Sequence, residues 1–257
     1  MDAVLTYKLF AADSARALER IQSKPQVSRE VEYYKENITS IKSIDALIDD
    51  DRIFATVMEA YGLEEMTYAK GFVRKLLEGG IDDEDSMANR LTDPRYQELA
   101  EDFNFVRNGE ATTAFSKVTV GVIDKFYQQN LEVEAGNQNA GVRLAMYFQR
   151  KAEDIETPLN ILADAALLQF VQTTFAMPTA MSYQSLDKQV ELIEDKFDIE
   201  DLKDPEKIEE MVSRFLTGWD MQNPTSVSIP PILSNPNAIL NISIDTLSAI
   251  QNLKTRF

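Results

Sequence analysis

The stretch DDDRIFATVMEAYGL, residues 49–63, narrows the choice of fold most. Its apolar side chains Ile53, Phe54, Val57, Met58 and Tyr61 fall at i, i+1, i+4, i+5 and i+8. That spacing lines one side of a 3.6-residue helix and would scatter over both faces of a strand. Gly62 then offers the left-handed stop that ends many helices. Similar spacing recurs along most of the chain, and turn-forming material is scarce. Nine glycines and nine prolines in 257 residues are too few for a sandwich or barrel of many short strands. The sequence predicts an all-α protein whose body holds about ten helices.

The expected helices can be placed. Residues 3–22 carry Val4, Tyr7, Ala11, Leu18 and Ile21, and the residue before Pro25 is pushed out of helical geometry. Residues 27–39 follow with Val31, Tyr34 and Ile38, and Ser43 caps a short helix with Ile44, Leu47 and Ile48. Residues 64–78 read as one helix closed by Gly79-Gly80. Asp93-Pro94 and Asp204-Pro205 each supply an N-cap and a proline at the first helical position, where the missing amide costs nothing. Residues 113–151 read as two helices with a junction near Gly136 and Gly141.

Two quasi-repeated halves, about 40–105 and 155–220, emerge from this pass. An offset of 114 superposes Ile53 on Leu167, Phe54 on Leu168, Val57 on Val171 and Tyr61 on Phe175. One residue later in register, EEMTY (64–68) faces TAMSY (179–183). A duplicated unit gives this pattern, and so do two unrelated runs of amphipathic helices. Residues 1–223 are expected to form one helical body. Residues 224–240 have the proline-rich, uncharged texture of an extended linker. Residues 241–257 then offer a short tail helix with Leu247, Ile250, Leu253 and Phe257 on one side.

The formal charge is −17, and such a surface repels phosphate backbones, so no nucleic-acid partner is expected. The chain has no Cys and no His, which removes disulfides, thiol nucleophiles and Cys/His zinc sites. No phosphate-cradling glycine motif occurs. The acid clusters Asp49–Asp51 and Asp82–Asp85 lack the alternating ligands and central glycine of a calcium loop. They are expected at helix N-termini, where free amides favour carboxylates. Tyr33, Tyr34, Tyr68, Tyr183 and Trp219 are expected in the core. No catalytic residue, metal or cofactor is predicted. No stretch is apolar and long enough for a membrane span, and the N-terminus lacks a secretory pattern. The expected location is the cytoplasm, or export without a cleaved signal.

Several segments resemble a family of alphaproteobacterial proteins of unknown function associated with flagellar gene clusters. They are REVEYYKENITSIKSIDALIDDDRIF (29–54), AYGLEEMTYAKGFVRKLL, LTDPRYQELAEDFNF, NAGVRLAMYFQRKAEDIETPLNILAD (139–164) and the ending IDTLSAIQNLK. The resemblance implies an all-helical fold, no assigned catalytic residues and a setting in flagellar assembly or motility. The expected function is that of a non-enzymatic structural or interaction protein. Its protein partners, flagellar components among them, would be met through apolar helices, with Leu247, Ile250, Leu253 and Phe257 as the contact set. A cytoplasmic assembly factor or chaperone for an export substrate is the alternative. An enzyme using carboxylates alone is a third reading.

Overall fold

Several helices in this protein begin where the sequence supplies an acceptor for otherwise free amides. The computed structural model describes residues 2–11 and 14–224. The first half holds α1 (Ala3–Ala11), α2 (Ser14–Gln22), α3 (Pro25–Asn37), α4 (Ile44–Asp49), α5 (Asp51–Ala60) and α6 (Lys70–Gly79). It continues with α7 (Met87–Arg90), α8 (Pro94–Asp102) and α9 (Phe105–Asn108). The second half runs through α10 (Val122–Gln138), α11 (Ala140–Lys151), α12 (Pro158–Ala163), α13 (Ala165–Thr174), α14 (Leu186–Glu194) and α15 (Pro205–Gln222). Short 3₁₀ turns join several of them, and no strand occurs among the described residues. Ser43, Asp50, Asp93, Asp164 and Asp204 each cap the helix that follows through a side-chain oxygen. Residues 1–223 make one compact unit. From residue 225 on, the expected linker and tail helix lie outside the described residues.

Two expected helices are divided differently, and the short α7 and α9 and a separate α12 also carry the body past about ten. The 3–22 segment forms α1 and α2, the second opening at Ser14. The 64–78 segment forms a 3₁₀ turn, Glu64–Met66, and then α6. Between them the Thr67 hydroxyl donates to the Glu64 carbonyl at 2.7 Å, a local bond that competes with helix continuation. The junction between α10 and α11 is Asn139, in extended geometry with φ −158°. Gly136 and Gly141 lie inside the flanking helices and serve packing instead. A Cβ at Gly141 would stand 2.5 Å from the Trp219 ring, so only glycine lets α15 lay its indole there.

Two stretches, 33–63 and 147–177, share one local arrangement. The bounds of α12 and α13 are those of α4 and α5 raised by 114. Asp50 accepts the amides of Arg52 and Ile53, and Asp164 those of Ala166 and Leu167. Tyr33 donates its hydroxyl to Asp50 at 2.9 Å, and Tyr147 donates to Asp164 at 2.5 Å. Both helices end with a six-residue closing turn, Leu63 N–H to Met58 O and Met177 N–H to Gln172 O. That turn needs positive φ, supplied by Gly62 (+67°) and by Ala176 (+50°).

Ala176 is therefore a strained copy of Gly62. Ala176→Gly is expected to raise stability by about 0.5 kcal/mol, relief of left-handed strain offset by greater freedom of the unfolded chain. Gly62→Ala is expected to lower it by about 1–2 kcal/mol, because strain is joined by crowding against Gln129. Urea midpoints with unchanged slopes check both.

The core is continuous across both halves. In the second half α11, α13 and α15 pack together through a run of rings. Phe148 stacks on Phe170 at 3.7 Å between centroids, Phe170 on Phe215 at 4.4 Å, and Trp219 tilts beside Phe215. In the first half α3 packs on α5, and buried Tyr34 donates to the Val118 carbonyl at 2.8 Å in a π-helical turn, Lys117–Gly121. α10 joins the halves, packing on α5 and α2 on one side of the sequence and on α11 on the other.

Candidate functional site

The seam bridged by α10 opens into a cleft of about 630 Å³. The end of α5 contributes Tyr61 and Gly62, and the start of α8 contributes Arg95 and Glu98. α10 adds Lys125, Gln129 and Glu132, and α11 adds Arg143, Tyr147, Arg150 and Lys151. The start of α13 and Trp219 of α15 complete the wall. A second groove, about 710 Å³ between α1, α2 and α10, is mainly apolar, with Phe10, Leu18 and Leu131 in its wall.

Ion pairs organise the cleft. Lys125 meets Glu98 at 2.8 Å and Asp102 at 2.6 Å, and Lys151 meets the other Glu98 oxygen at 3.0 Å. Arg150 grips Glu132 through Nε at 2.6 Å and Nη2 at 3.2 Å, although the Glu132 side chain is only 1% exposed. Arg95 binds its own cap residue Asp93 through Nε and Nη2, and its Nη1 donates to the Gly62 carbonyl. Tyr61 donates to Asp102 at 2.6 Å. Gln129 is 6% exposed, and its amide faces the cleft with no protein partner.

These contacts push titrations away from neutrality. Burial alone would raise Glu98, but the ammoniums of Lys151 and Lys125 outweigh it and hold the carboxyl below its ordinary 4.5. Burial alone would lower Lys125, yet Glu98 and Asp102 hold it above 10.5. Desolvation, reinforced by Asp102 and by Asp164, pushes Tyr61 and Tyr147 well above 10. Among the described residues the carboxyl shifted upward is Glu59, by burial beside Asn130, and it lies outside the cleft wall.

A pH dependence follows. A depressed carboxyl contributes stability above its unfolded value and loses it as pH falls through the folded one. Glu98 therefore contributes fully above 4.5 and is lost on further acidification. The raised tyrosines contribute below 10 and lose that contribution as pH climbs beyond it. Thermal midpoints across pH should fall on both sides of this window. Glu98→Gln should flatten the acid limb.

The sequence-predicted residues fare unequally. Asp50 caps a helix, but Asp82–Asp85 do not sit on a helix N-terminus. Asp82 pairs with Arg107, and Asp83 accepts the Asp85 amide in the turn before Ser86 caps α7. No group of three or more metal-ligating side chains occurs among the described residues. Tyr34 is buried as expected, whereas Tyr68 is 83% and Tyr183 92% exposed. The reason is local: each follows or ends a 3₁₀ turn, where helical spacing no longer predicts the buried side. Trp219 sits a turn before the end of α15 and walls the cleft. The contact set Leu247, Ile250, Leu253 and Phe257 lies outside the described residues. Sequence reasoning missed the cleft, though one signal was available. Tyr33 and Asp50 recur as Tyr147 and Asp164 at the same offset of 114 as the helices.

Comparison with known proteins adds a family. Residues 60–208 match the family model described as protein of unknown function, DUF1217. The chain is also similar to the crystal structure of protein AGR_C_984 from Agrobacterium tumefaciens. The two are 45% identical with a TM-score of 0.80, over 86% of this chain and 94% of that one. No curated protein matches it. No helix among the described residues is long and apolar enough to cross a membrane.

Proposed function

Because the chain belongs to the DUF1217 family of unknown function, we propose from its geometry that it is a non-enzymatic interaction protein. Flagellar assembly or motility is the proposed setting. One observation carries the non-enzymatic part: Glu98 is held further toward its ionised form and Lys125 further toward its protonated form. General acid–base catalysis needs the opposite, values drawn toward the working pH. Locked pairs of this kind fix helices and shape a surface. The resemblance of residues 29–54 and 139–164 to proteins of flagellar gene clusters supports the setting. The apolar spacing of Leu247, Ile250, Leu253 and Phe257 supports the tail as the contact element.

The test compares the full chain with a chain ending before residue 232 in affinity capture of native complexes. The full chain is expected to retain a flagellar component and the shortened chain to lose it, with helical circular dichroism of the body preserved. Retention by the shortened chain removes the tail from the account. Complexes without flagellar components remove the setting.

A further inference from the structure

We propose that Asn108 is a self-modification site: its side chain closes on the Gly109 backbone nitrogen, loses ammonia and reopens chiefly as isoaspartate. This goes beyond the interaction reading and does not depend on it. Asn108-Gly109 is the chain's one Asn-Gly pair. In the closing step the Gly109 nitrogen bonds to Asn108 Cγ, and the bond from Cγ to the side-chain nitrogen breaks. The proton shed by the glycine amide leaves with that nitrogen as ammonia. Water then opens the five-membered imide at either carbonyl. Attack at the Asn108 main-chain carbonyl leaves the chain running through Cγ, as isoaspartate, and attack at Cγ leaves ordinary aspartate. Solvent is the sole co-reactant, and nothing is oxidised or reduced.

Three features of the fold favour closure here. Glycine puts no side chain beside the attacking nitrogen, and a Cβ built at Gly109 would meet no atom within 4 Å. The Asn108 side chain is half-buried and makes no hydrogen bond within the protein, so nothing holds its amide away from the backbone. The third feature is the shortness of α9. The Gly109 N–H donates to the Phe105 carbonyl, and that bond must open before the nitrogen can attack. It closes a helix of four residues, and a single turn has no neighbouring turns to support it. Asn130, by contrast, lies inside the 17 residues of α10, is followed by leucine, and donates its amide to Glu59 and to the Phe126 carbonyl. The fold also registers the product. Isoaspartate adds a methylene to the backbone ahead of Gly109, whose carbonyl accepts from buried Thr112 Oγ1 at 2.8 Å. Its carboxylate falls at the C-terminal end of α9, the unfavourable end for a negative charge.

The test ages the full chain in mildly alkaline buffer and maps its peptides by mass spectrometry, with electron-driven fragmentation to separate isoaspartate from aspartate. Conversion at Asn108 is expected to run about tenfold or more ahead of Asn130 and Asn139. Isoaspartate should be the major product, and the rate should rise with pH. Asn108→Gln should abolish the conversion, because the longer side chain closes a six-membered ring far more slowly. The aged chain is expected to melt about 2–4 °C lower, the shift for losing about one hydrogen bond, and aged Asn108→Gln to be unchanged. Intact Asn108 after ageing overturns the proposal, as does conversion no faster than at Asn139. Aspartate without isoaspartate overturns the imide route, and an equal fall in aged Asn108→Gln overturns the structural consequence.

Discussion

Phe170→Ala is expected to lower the stability of the body by about 3–5 kcal/mol, the range for emptying a fully buried aromatic position. Phe170 is the middle of a three-ring stack. Phe148 lies 3.7 Å away with planes 9° apart, and Phe215 lies 4.4 Å away at 23°. The three rings come from α11, α13 and α15, and all three are fully buried. Removing the central one therefore withdraws contacts from two helices at once. Collapse into the space is opposed by the close Trp219–Gly141 contact, which fixes how α15 lies on α11. A lowered urea midpoint with native slope is the expected readout. Phe170→Leu should recover a good part of the loss, since most of the volume is restored.

Arg150→Met is the second large effect, about 3–5 kcal/mol destabilising, for a different physical reason. The change keeps much of the side chain's apolar bulk but removes both bonds to Glu132. That carboxylate is almost completely enclosed, and its remaining side-chain partner is Gln128 at 3.4 Å. A buried charge stripped of its counterion costs far more than the pair itself contributes. The double variant Arg150→Met with Glu132→Gln should therefore be much more stable than Arg150→Met alone. A double-mutant cycle measures that coupling, and additive losses would show that the two residues do not act as a pair.

The contrast between these two sites explains what could be read from the sequence. The face of α5, with Ile53, Phe54, Val57 and Met58, announced itself by spacing, because burial of apolar groups repeats with the helical period. Ser43, Asp93-Pro94 and Asp204-Pro205 were legible because a cap acts within its own turn. The break at Thr67 was not, since a hydroxyl bonding its own backbone leaves no periodic trace. The cleft was illegible for a further reason. Lys125, Glu132, Arg150 and Glu98 each look like residues of a solvated helix face, and only the packing of α8, α10 and α11 brings them together. Glu132 and Arg150 stand on helices joined by the single residue Asn139, so their pairing depends on how sharply the chain turns there, which helical spacing does not encode. Tyr68 and Tyr183 show the reverse error, aromatic residues assigned to the core that the ends of 3₁₀ turns leave in solvent.

The account rests on the claim that the cleft's charges are structural pairs, unsuited to moving protons near neutral pH. A direct measurement is the pH titration of the Glu98 side-chain carboxyl by carbon NMR in the full chain, assigned with Glu98→Gln. The account predicts a midpoint below 4.5, with the carboxylate still ionised wherever the protein is folded above it. A midpoint in the range of roughly 6–7, where an enzyme tunes a glutamic acid for proton transfer, would contradict it.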